Sequence, residues 1–298
     1  MRTMLAVAVI GLLAGHALGG EPGVEGKLEI LHLDGLADPA RWGPAECAVK
    51  ASETLRAEGR PTLHFHIPVD HHGGEKNYPI GWPRMYLELK KPDETSWAEF
   101  ERFEFLIHAA MSRRAPPRKV LNLQIHCPDK QNALHRNLEE IRLGQWVRVS
   151  LPIRSINGVE QVARLGFNIS ESDYRDGDVL DFCIGGFRLA RAAEFGLASL
   201  RVTAPVVYRD RPRLSVEVEA VGPPGEVARG LPLAVYRDKR LVHRETLPVR
   251  RGVQTLGLTL GKAKLEVGRY TLVAFDEAPK QRVEAVFRVV ESPWEEQK

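Results

Sequence analysis

The sequence predicts an all-β protein built from two β-sandwich domains, and three observations lead to this prediction. Apolar and polar residues alternate with a period of two in many short runs, as Leu63, Phe65 and Ile67 do with their polar neighbours. Glycines and prolines, 26 and 20 among 298 residues, separate these runs at short intervals. Helical spacing of apolar residues is confined to two short stretches, residues 96–102 and 132–142.

Residues 1–19 have the pattern of a secretory signal peptide. Arg2 supplies a positive charge, residues 5–13 form an apolar run, and Ala17 and Gly19 are small residues at the cleavage positions. The apolar run is too short to span a bilayer, and no later segment approaches the necessary length. We therefore expect a secreted protein, periplasmic or extracellular, with no membrane span.

Composition argues against several function classes. A net charge of +3 is too small for a nucleic-acid-binding protein. The three cysteines, Cys47, Cys127 and Cys183, fit no metal motif. Export permits one disulfide among them, which leaves one thiol over, and buried thiols are the alternative. The sequence contains no nucleophile elbow, phosphate-binding glycine loop or dinucleotide fingerprint.

Residues 27–192 form the first predicted domain. Eight or nine short strands predict an antiparallel sandwich, and a jelly roll is the commonest way to close so many strands. The strands predicted in its second half cover residues 120–126, 146–153, 165–170 and 179–189.

Residues 199–291 form the second predicted domain, which contains no cysteine. Seven short strands over about 90 residues predict an immunoglobulin-like or fibronectin-like sandwich. Asp238 and Lys239 are expected to form a tight hairpin turn, and Gly268 to Tyr270 resembles the start of a late strand in such folds. We expect this domain to serve as a spacer or docking module.

The segment from Gly74 to Arg84 is irregular, aromatic and charged, and it lies between two strand-like runs, which makes it a candidate for binding rather than for structural support. Its glycines relax the limits on φ and its two prolines remove backbone donors, which predicts a rigid loop presenting Tyr78, Trp82 and Arg84. Aromatic rings beside a guanidinium suit the apolar face and the hydroxyl rim of a sugar. The alternative is that the rings plug the end of the sandwich.

Four segments of the first domain resemble the galactose-binding-domain-like jelly rolls that accompany many bacterial carbohydrate-active enzymes. They are Leu33-Asp34-Gly35-Leu36-Ala37-Asp38-Pro39-Ala40-Arg41-Trp42, Gly59-Arg60-Pro61-Thr62-Leu63-His64-Phe65, Gly144-Gln145-Trp146-Val147-Arg148-Val149-Ser150-Leu151-Pro152 and Phe182-Cys183-Ile184-Gly185-Gly186-Phe187-Arg188-Leu189. The resemblance implies a jelly roll and glycan recognition. In this family an acidic or Asn residue on the last strand often helps to hold a structural calcium, but Gly185 and Gly186 stand there. No cofactor is expected, and Asp34 and Asp181 are the remaining candidate oxygen ligands.

The outward faces of three predicted strands offer a polar surface. If these strands are neighbours, they line one concave face. The residues concerned are Arg84, Tyr86, Glu88, Asn122, Gln124, His126, Trp146 and Arg148.

A catalytic alternative comes from the same face. Gln124 to His126 is similar to the Gln-Ile-His motif of a family of jelly-roll alginate lyases, and residues 84–89 loosely resemble its Arg-Xaa-Glu-Leu motif. The resemblance implies that a His or Tyr base abstracts the proton beside a uronate carboxylate, which Gln and Arg neutralise. The third motif of that family, Tyr-Phe-Lys, has no counterpart beyond residues 174–177.

Four histidines lie close together at positions 64, 66, 71 and 72. His64 and His66 share one face of a strand, so they could bind a transition metal with His71 or Glu75 from the following loop. Solvated histidines at a strand end are the alternative, and no metal site is assigned from the sequence.

The resulting hypothesis is a secreted, non-catalytic protein that binds a polysaccharide or cell-surface glycan. Its predicted ligand-binding residues are Tyr78, Trp82, Arg84, Tyr86, Gln124, His126 and Trp146. The alternatives are a polysaccharide lyase acting on a uronate polymer and a structural or adhesive envelope protein that binds no small ligand.

Overall fold

The computed structural model describes residues 27–73, 80–128, 130–225, 228–260, 265–278 and 281–293. The predicted signal peptide therefore lies outside the described residues. Strands dominate throughout, which confirms the prediction of an all-β protein. The chain divides into two compact units, with the boundary between Arg191 and Ala192. Within the part of the chain that the structure describes, no helix is long and apolar enough to cross a membrane.

The first unit contains eleven strands. They are β1 (Leu28–His32), β2 (Trp42–Ala45), β3 (Ala48–Ala51), β4 (Thr62–Pro68), β5 (Arg84–Glu88), β6 (Arg102–Met111), β7 (Asn122–Cys127), β8 (Lys130–Asn137), β9 (Trp146–Pro152), β10 (Arg164–Asn168) and β11 (Val179–Ala192). One short α-helix, α1 (Pro92–Thr95), and four 3-10 turns (Asp34–Ala37, Pro39–Arg41, Ile153–Ser155 and Glu171–Asp173) connect them.

These strands form two sheets. Sheet A has the order β3-β4-β11-β6-β9, with β1 also paired to β11, and sheet B has the order β2-β5-β10-β7-β8. From β4 to β7 the chain alternates between the sheets, and it does so again from β8 to β11, as in a jelly roll.

The core of the first unit lies between the apolar faces of the two sheets. Leu63, Phe65 and Ile67 on β4 are completely buried, as the alternation predicts. Phe105 of sheet A meets Phe167 of sheet B edge to face, with ring centroids 5.5 Å apart. This contact joins the layers directly and fixes which face of each strand is turned outward.

Neither predicted helix forms. Residues 96–102 follow α1, which begins at Pro92, a residue favoured in the first turn because its missing N–H would have no partner there. Residues 132–142 begin in β8, which pairs antiparallel with β7, with Leu134 opposite Ile125. Leu134, Leu138 and Ile141 have helical spacing, but pairing with β7 overrides this local pattern.

The second unit is a sandwich of eight strands. They are β12 (Gly196–Val202), β13 (Val206–Tyr208), β14 (Arg213–Val221), β15 (Arg229–Arg237), β16 (Arg240–Val249), β17 (Gly252–Thr259), β18 (Gly268–Ala274) and β19 (Val283–Val290). One sheet has the order β12-β14-β17 and the other the order β13-β19-β18-β15-β16. This is the strand arrangement of an immunoglobulin-like sandwich with a split first strand.

Two local predictions for this unit agree with the structure. Asp238 and Lys239 both have positive φ, 47° and 68°, which is the geometry of a type I′ turn between β15 and β16. Tyr270 lies near the start of β18, and its hydroxyl donates to the Glu266 carbonyl at 2.8 Å while it accepts from the Glu266 N–H at 3.0 Å. This is the tyrosine corner of such sandwiches.

Tyr270→Phe should destabilise the second unit by about 1–2 kcal/mol, because two backbone groups lose a hydrogen-bond partner while the ring keeps its stacking on Phe287. Urea unfolding of the full chain, followed by circular dichroism, measures this loss. An unchanged midpoint for the transition of this unit would contradict the structural role of the hydroxyl.

Candidate functional site

The outer face of sheet B carries the polar surface predicted from the sequence. Strand β10 lies between β5 and β7, so their outward residues form three rows across the sheet. The rows are Arg84, Asn168 and Asn122; Tyr86, Gly166 and Gln124; and Glu88, Arg164 and His126. The predicted neighbourhood of Arg84, Tyr86, Gln124 and His126 is thus present, although β5 and β7 do not pair directly.

Tyr86 lies flat across the middle of this face. A Cβ on Gly166 would approach two ring carbons of Tyr86 to 2.4 Å, so the absent side chain makes room for the ring. The Tyr86 hydroxyl donates to Gln124 Oε1 at 2.9 Å, and the Arg164 guanidinium lies 5.5 Å from the ring centroid. Burial raises the pKa of Tyr86, so its hydroxyl keeps its proton at neutral pH.

His126 lies beside Tyr86, with ring centroids 6.3 Å apart in an edge-on arrangement. Burial lowers the pKa of His126, and the positive charge of Arg164 lowers it further. The imidazole is therefore neutral at pH 7.

Trp82 is fixed beside the row that contains Asn168. Its indole Nε1 donates to Asn168 Oδ1 at 3.1 Å, and the Arg84 guanidinium lies 4.9 Å from the ring centroid. Trp82 is nevertheless 44% exposed, which contradicts the alternative that this ring plugs the sandwich. Asn168 is itself buried and also accepts a long hydrogen bond, 3.5 Å, from Asn122, so the tryptophan has a rigid support.

Two carboxylates hold the backbone next to Trp82. The buried Glu171 accepts from the N–H groups of Asp70 and Gly81, at 3.2 and 2.8 Å, and Glu46 accepts from the N–H of Trp82. A Cβ on Gly81 would come within 2.9 Å of both carboxylates. A side chain at this position would have to displace the two carboxylates from the backbone N–H groups, so the glycine serves close approach rather than the conformational freedom that the sequence suggested.

Two predicted site residues are not part of the described face. Tyr78 lies outside the described residues. Trp146, together with Arg148, lies on β9 of sheet A, so its predicted place beside Tyr86 and Gln124 is wrong. Trp146 instead packs against His108, with ring centroids 5.6 Å apart. The pairing of β9 with β6 depends on topology, which alternation along one strand cannot predict.

Three residues of the face were missed, and all of them lie on β10: Arg164, Gly166 and Asn168. The sequence does predict a strand at residues 165–170, which overlaps β10, so part of the information needed to find these residues is present. An inward Phe167 requires Gly166 and Asn168 to face outward. The position of this strand between β5 and β7 could not be inferred from local pattern.

The structure also shows the surroundings of the two candidate calcium ligands, Asp34 and Asp181, and of the three cysteines. Asp34 pairs with Arg60 at 2.6 Å, and two imidazoles surround Asp181, so neither carboxylate lies in the all-oxygen ligand set that calcium prefers. Cys47, Cys127 and Cys183 form no disulfide with one another. Cys127 and Cys183 lie on different sheets, and burial raises the pKa of Cys47 to about 11.

Gly166→Ala should destabilise the first unit by about 1–3 kcal/mol, because the new methyl group overlaps the Tyr86 ring and displaces its hydroxyl from Gln124. Gly257→Ala on β17 is the matched control, since its Cβ would meet no atom within 4 Å. Urea unfolding of both variants measures the difference. Equal stability of the two variants would contradict the close approach of Tyr86 to β10.

Comparisons with known proteins show only distant similarity. No protein-family model matches the chain, and no curated protein matches it. Among solved structures, the carbohydrate-binding module CBM27-1 of Caldicellulosiruptor saccharolyticus, in complex with mannohexaose, covers 55% of this chain and 96% of its own length at 11% identity and a TM-score of 0.33.

Two further structures are similar over more of the chain. The glycoside hydrolase domain of Endo-D from Streptococcus pneumoniae R6 matches 88% of it at 11% identity and a TM-score of 0.29, and this chain spans 37% of that structure. The adhesin domain of Epf from Streptococcus pyogenes matches 91% of this chain and 90% of its own at 8% identity and a TM-score of 0.27. At these TM-scores the likenesses carry no argument about function, which must come from the site.

Proposed function

We propose that this protein is a secreted, non-catalytic carbohydrate-binding protein and that the outer face of sheet B contacts the glycan. The observation that carries the proposal is Trp82, which remains 44% exposed although hydrogen bonding to Asn168 and contact with Arg84 hold it in place. A rigid, exposed ring loses little conformational entropy on binding, so it is suited to pack against the apolar face of a sugar ring.

The rest of the face supplies the polar half of such a contact. Asn122 contributes a half-buried amide group, and the buried Gln124 fixes the Tyr86 hydroxyl next to the neutral imidazole of His126. Glycan recognition combines an aromatic platform with a few placed hydrogen-bonding groups. Arg84 beside the ring adds a positive charge, which favours polysaccharides with acidic groups over fully neutral ones.

Trp82→Ala should weaken polysaccharide binding at least about tenfold and leave the fold intact, because truncation of a central aromatic contact costs more than about 1.4 kcal/mol. Trp146→Ala is the matched control, since this tryptophan lies on sheet A. Affinity electrophoresis against neutral and uronate polysaccharides measures both variants, and circular dichroism verifies folding.

Three outcomes would contradict the proposal. Equal loss of binding in both variants would indicate a general effect of tryptophan removal. Loss restricted to Trp146→Ala would move the site to sheet A. Failure of the parent protein to bind any polysaccharide at high concentration would favour the structural or adhesive alternative.

A second candidate function, cleavage of a uronate polymer by β-elimination, is supported by one observation. Tyr86, Gln124 and His126 share a face, with Gln124 hydrogen-bonded to the Tyr86 hydroxyl. In this reaction the neutral His126 removes the proton next to the carboxylate, the C–O bond to the leaving sugar breaks, and the Tyr86 hydroxyl protonates the leaving oxygen. Arg84 or Arg164 would neutralise the charge on the carboxylate.

The ultraviolet absorbance of the unsaturated product, recorded in the same binding mixtures, separates the two functions. Binding without a rise in absorbance supports the non-catalytic proposal. A rise that disappears in both His126→Gln and Tyr86→Phe would replace it with the lyase.

A further inference from the structure

The outer face of sheet A carries a separate cluster of polar side chains. Strands β4 and β11 pair antiparallel, with His66 opposite Asp181 and His64 opposite Cys183. Because Leu63, Phe65 and Ile67 of β4 are turned into the core, both histidines point outward on the same side of the sheet. Asp181 projects from β11 on that same side, flanked by the inward-facing Leu180 and Phe182.

The three side chains converge on one point. His64 Nε2 lies 2.6 Å and His66 Nδ1 lies 2.8 Å from the same oxygen, Asp181 Oδ1. One ligand atom from each residue lies within 4.8 Å of the other two. We propose that His64, His66 and Asp181 form a binding site for a divalent transition-metal ion of the zinc class.

The donor set determines the class of metal. Two imidazole nitrogens and one carboxylate oxygen suit zinc and other first-row transition metals, whereas calcium and magnesium prefer oxygen ligands throughout. In the metal-free arrangement each imidazole directs a ring N–H at the Asp181 oxygen. A divalent ion would bind the same three atoms once each imidazole carries its single proton on the other ring nitrogen, any second proton being released to solvent, and small rotations of the side chains would open the ligand spacing.

The backbone gives the site its rigidity. His64 and His66 are two residues apart on a central strand of the sheet, and β11 pairs with both β4 and β6. Ligands on paired strands are held more precisely than ligands on loops, so little ordering is required when the ion binds. The side chains remain 23%, 39% and 36% exposed for His64, His66 and Asp181, which leaves a path for the ion from solvent.

A cavity beside the cluster leaves room for further ligands of the metal. Its volume is about 270 Å³, and it is lined in part by His64, Asp181, Lys50, His108 and Cys183. Three protein ligands with an adjoining cavity correspond to an open coordination position, which water or a small anion attracted by Lys50 can occupy.

The third ligand differs from the one that the sequence suggested. His71 lies 3.1 Å, through its Nε2, from the carbonyl oxygen of Glu171 and is thus engaged elsewhere, and Glu75 lies outside the described residues. Asp181, more than a hundred positions away in sequence, completes the set instead.

Calorimetric titration of the chelator-treated full chain with zinc sulfate tests the proposal. We expect one Zn²⁺ per chain, and at least about 10- to 100-fold weaker binding in His64→Gln, His66→Gln and Asp181→Asn. His71→Gln is the matched control and should retain the affinity of the parent protein. Thermal unfolding without metal verifies that each variant is folded.

Cobalt provides a readout that needs no variant. Co²⁺ bound to the parent chain should show d–d absorption typical of nitrogen and oxygen ligands, without a thiolate charge-transfer band. Absence of stoichiometric Zn²⁺ binding by the folded parent chain would overturn the site, and so would full affinity in the Asp181→Asn variant. A thiolate band would overturn the proposed ligand set by bringing in Cys183. Loss of affinity in His71→Gln alone would move the site to the loop.

Discussion

The apolar contact between sheets A and B is the constraint on which both candidate sites depend. Phe105 and Phe167 meet across this interface, and Phe182 is completely buried on β11. Because side chains alternate along a strand, an inward Phe167 places Gly166 and Asn168 outside. In the same way an inward Phe182 places Asp181 and Cys183 on the outer face of sheet A. A shift of the pairing register by one residue in β10 or β11 would turn the polar residues of that strand into the core and its phenylalanine into solvent. Both changes have a large cost in free energy.

The alternation in the sequence predicts well which side chains of a strand face outward. It predicts poorly which strands lie next to one another in a sheet. From the period of two alone, the sequence predicts that Leu63, Phe65 and Ile67 face one way and that His64 and His66 face the other. The partners of each strand come from tertiary pairing, which leaves no local trace. For that reason the sequence wrongly predicts Trp146 beside Tyr86, although β9 belongs to the other sheet, and it does not indicate that Asp181 contacts the two histidines.

The loop before β5 shows a different limit of sequence reasoning. The sequence indicates an unusual loop at Gly81, Trp82 and Arg84, and the structure explains why these residues form a stable surface. Glu171 and Glu46 satisfy backbone N–H groups there, and a side chain on Gly81 would push these carboxylates away from those groups. Long-range hydrogen bonds of this kind join residues some 35 to 100 positions apart in the sequence, so composition of the loop alone could not show them.

The proposed glycan-binding face and the proposed metal site lie on opposite outer faces of one sandwich, and this placement makes their contributions to the free energy separable. The packed sheets of a sandwich are about 10 Å apart, and substitutions at that separation without shared partners usually have additive effects. Tyr86, Gln124 and Trp82 contact residues of sheet B and its loops, whereas Asp181 contacts residues of β4. A close-packed core can still transmit strain from one face to the other. Coupling between metal and glycan binding would therefore require a shift of the β10 backbone together with that of β4 or β11, since each of these strands carries site residues on one face and a core aromatic residue on the other in direct succession.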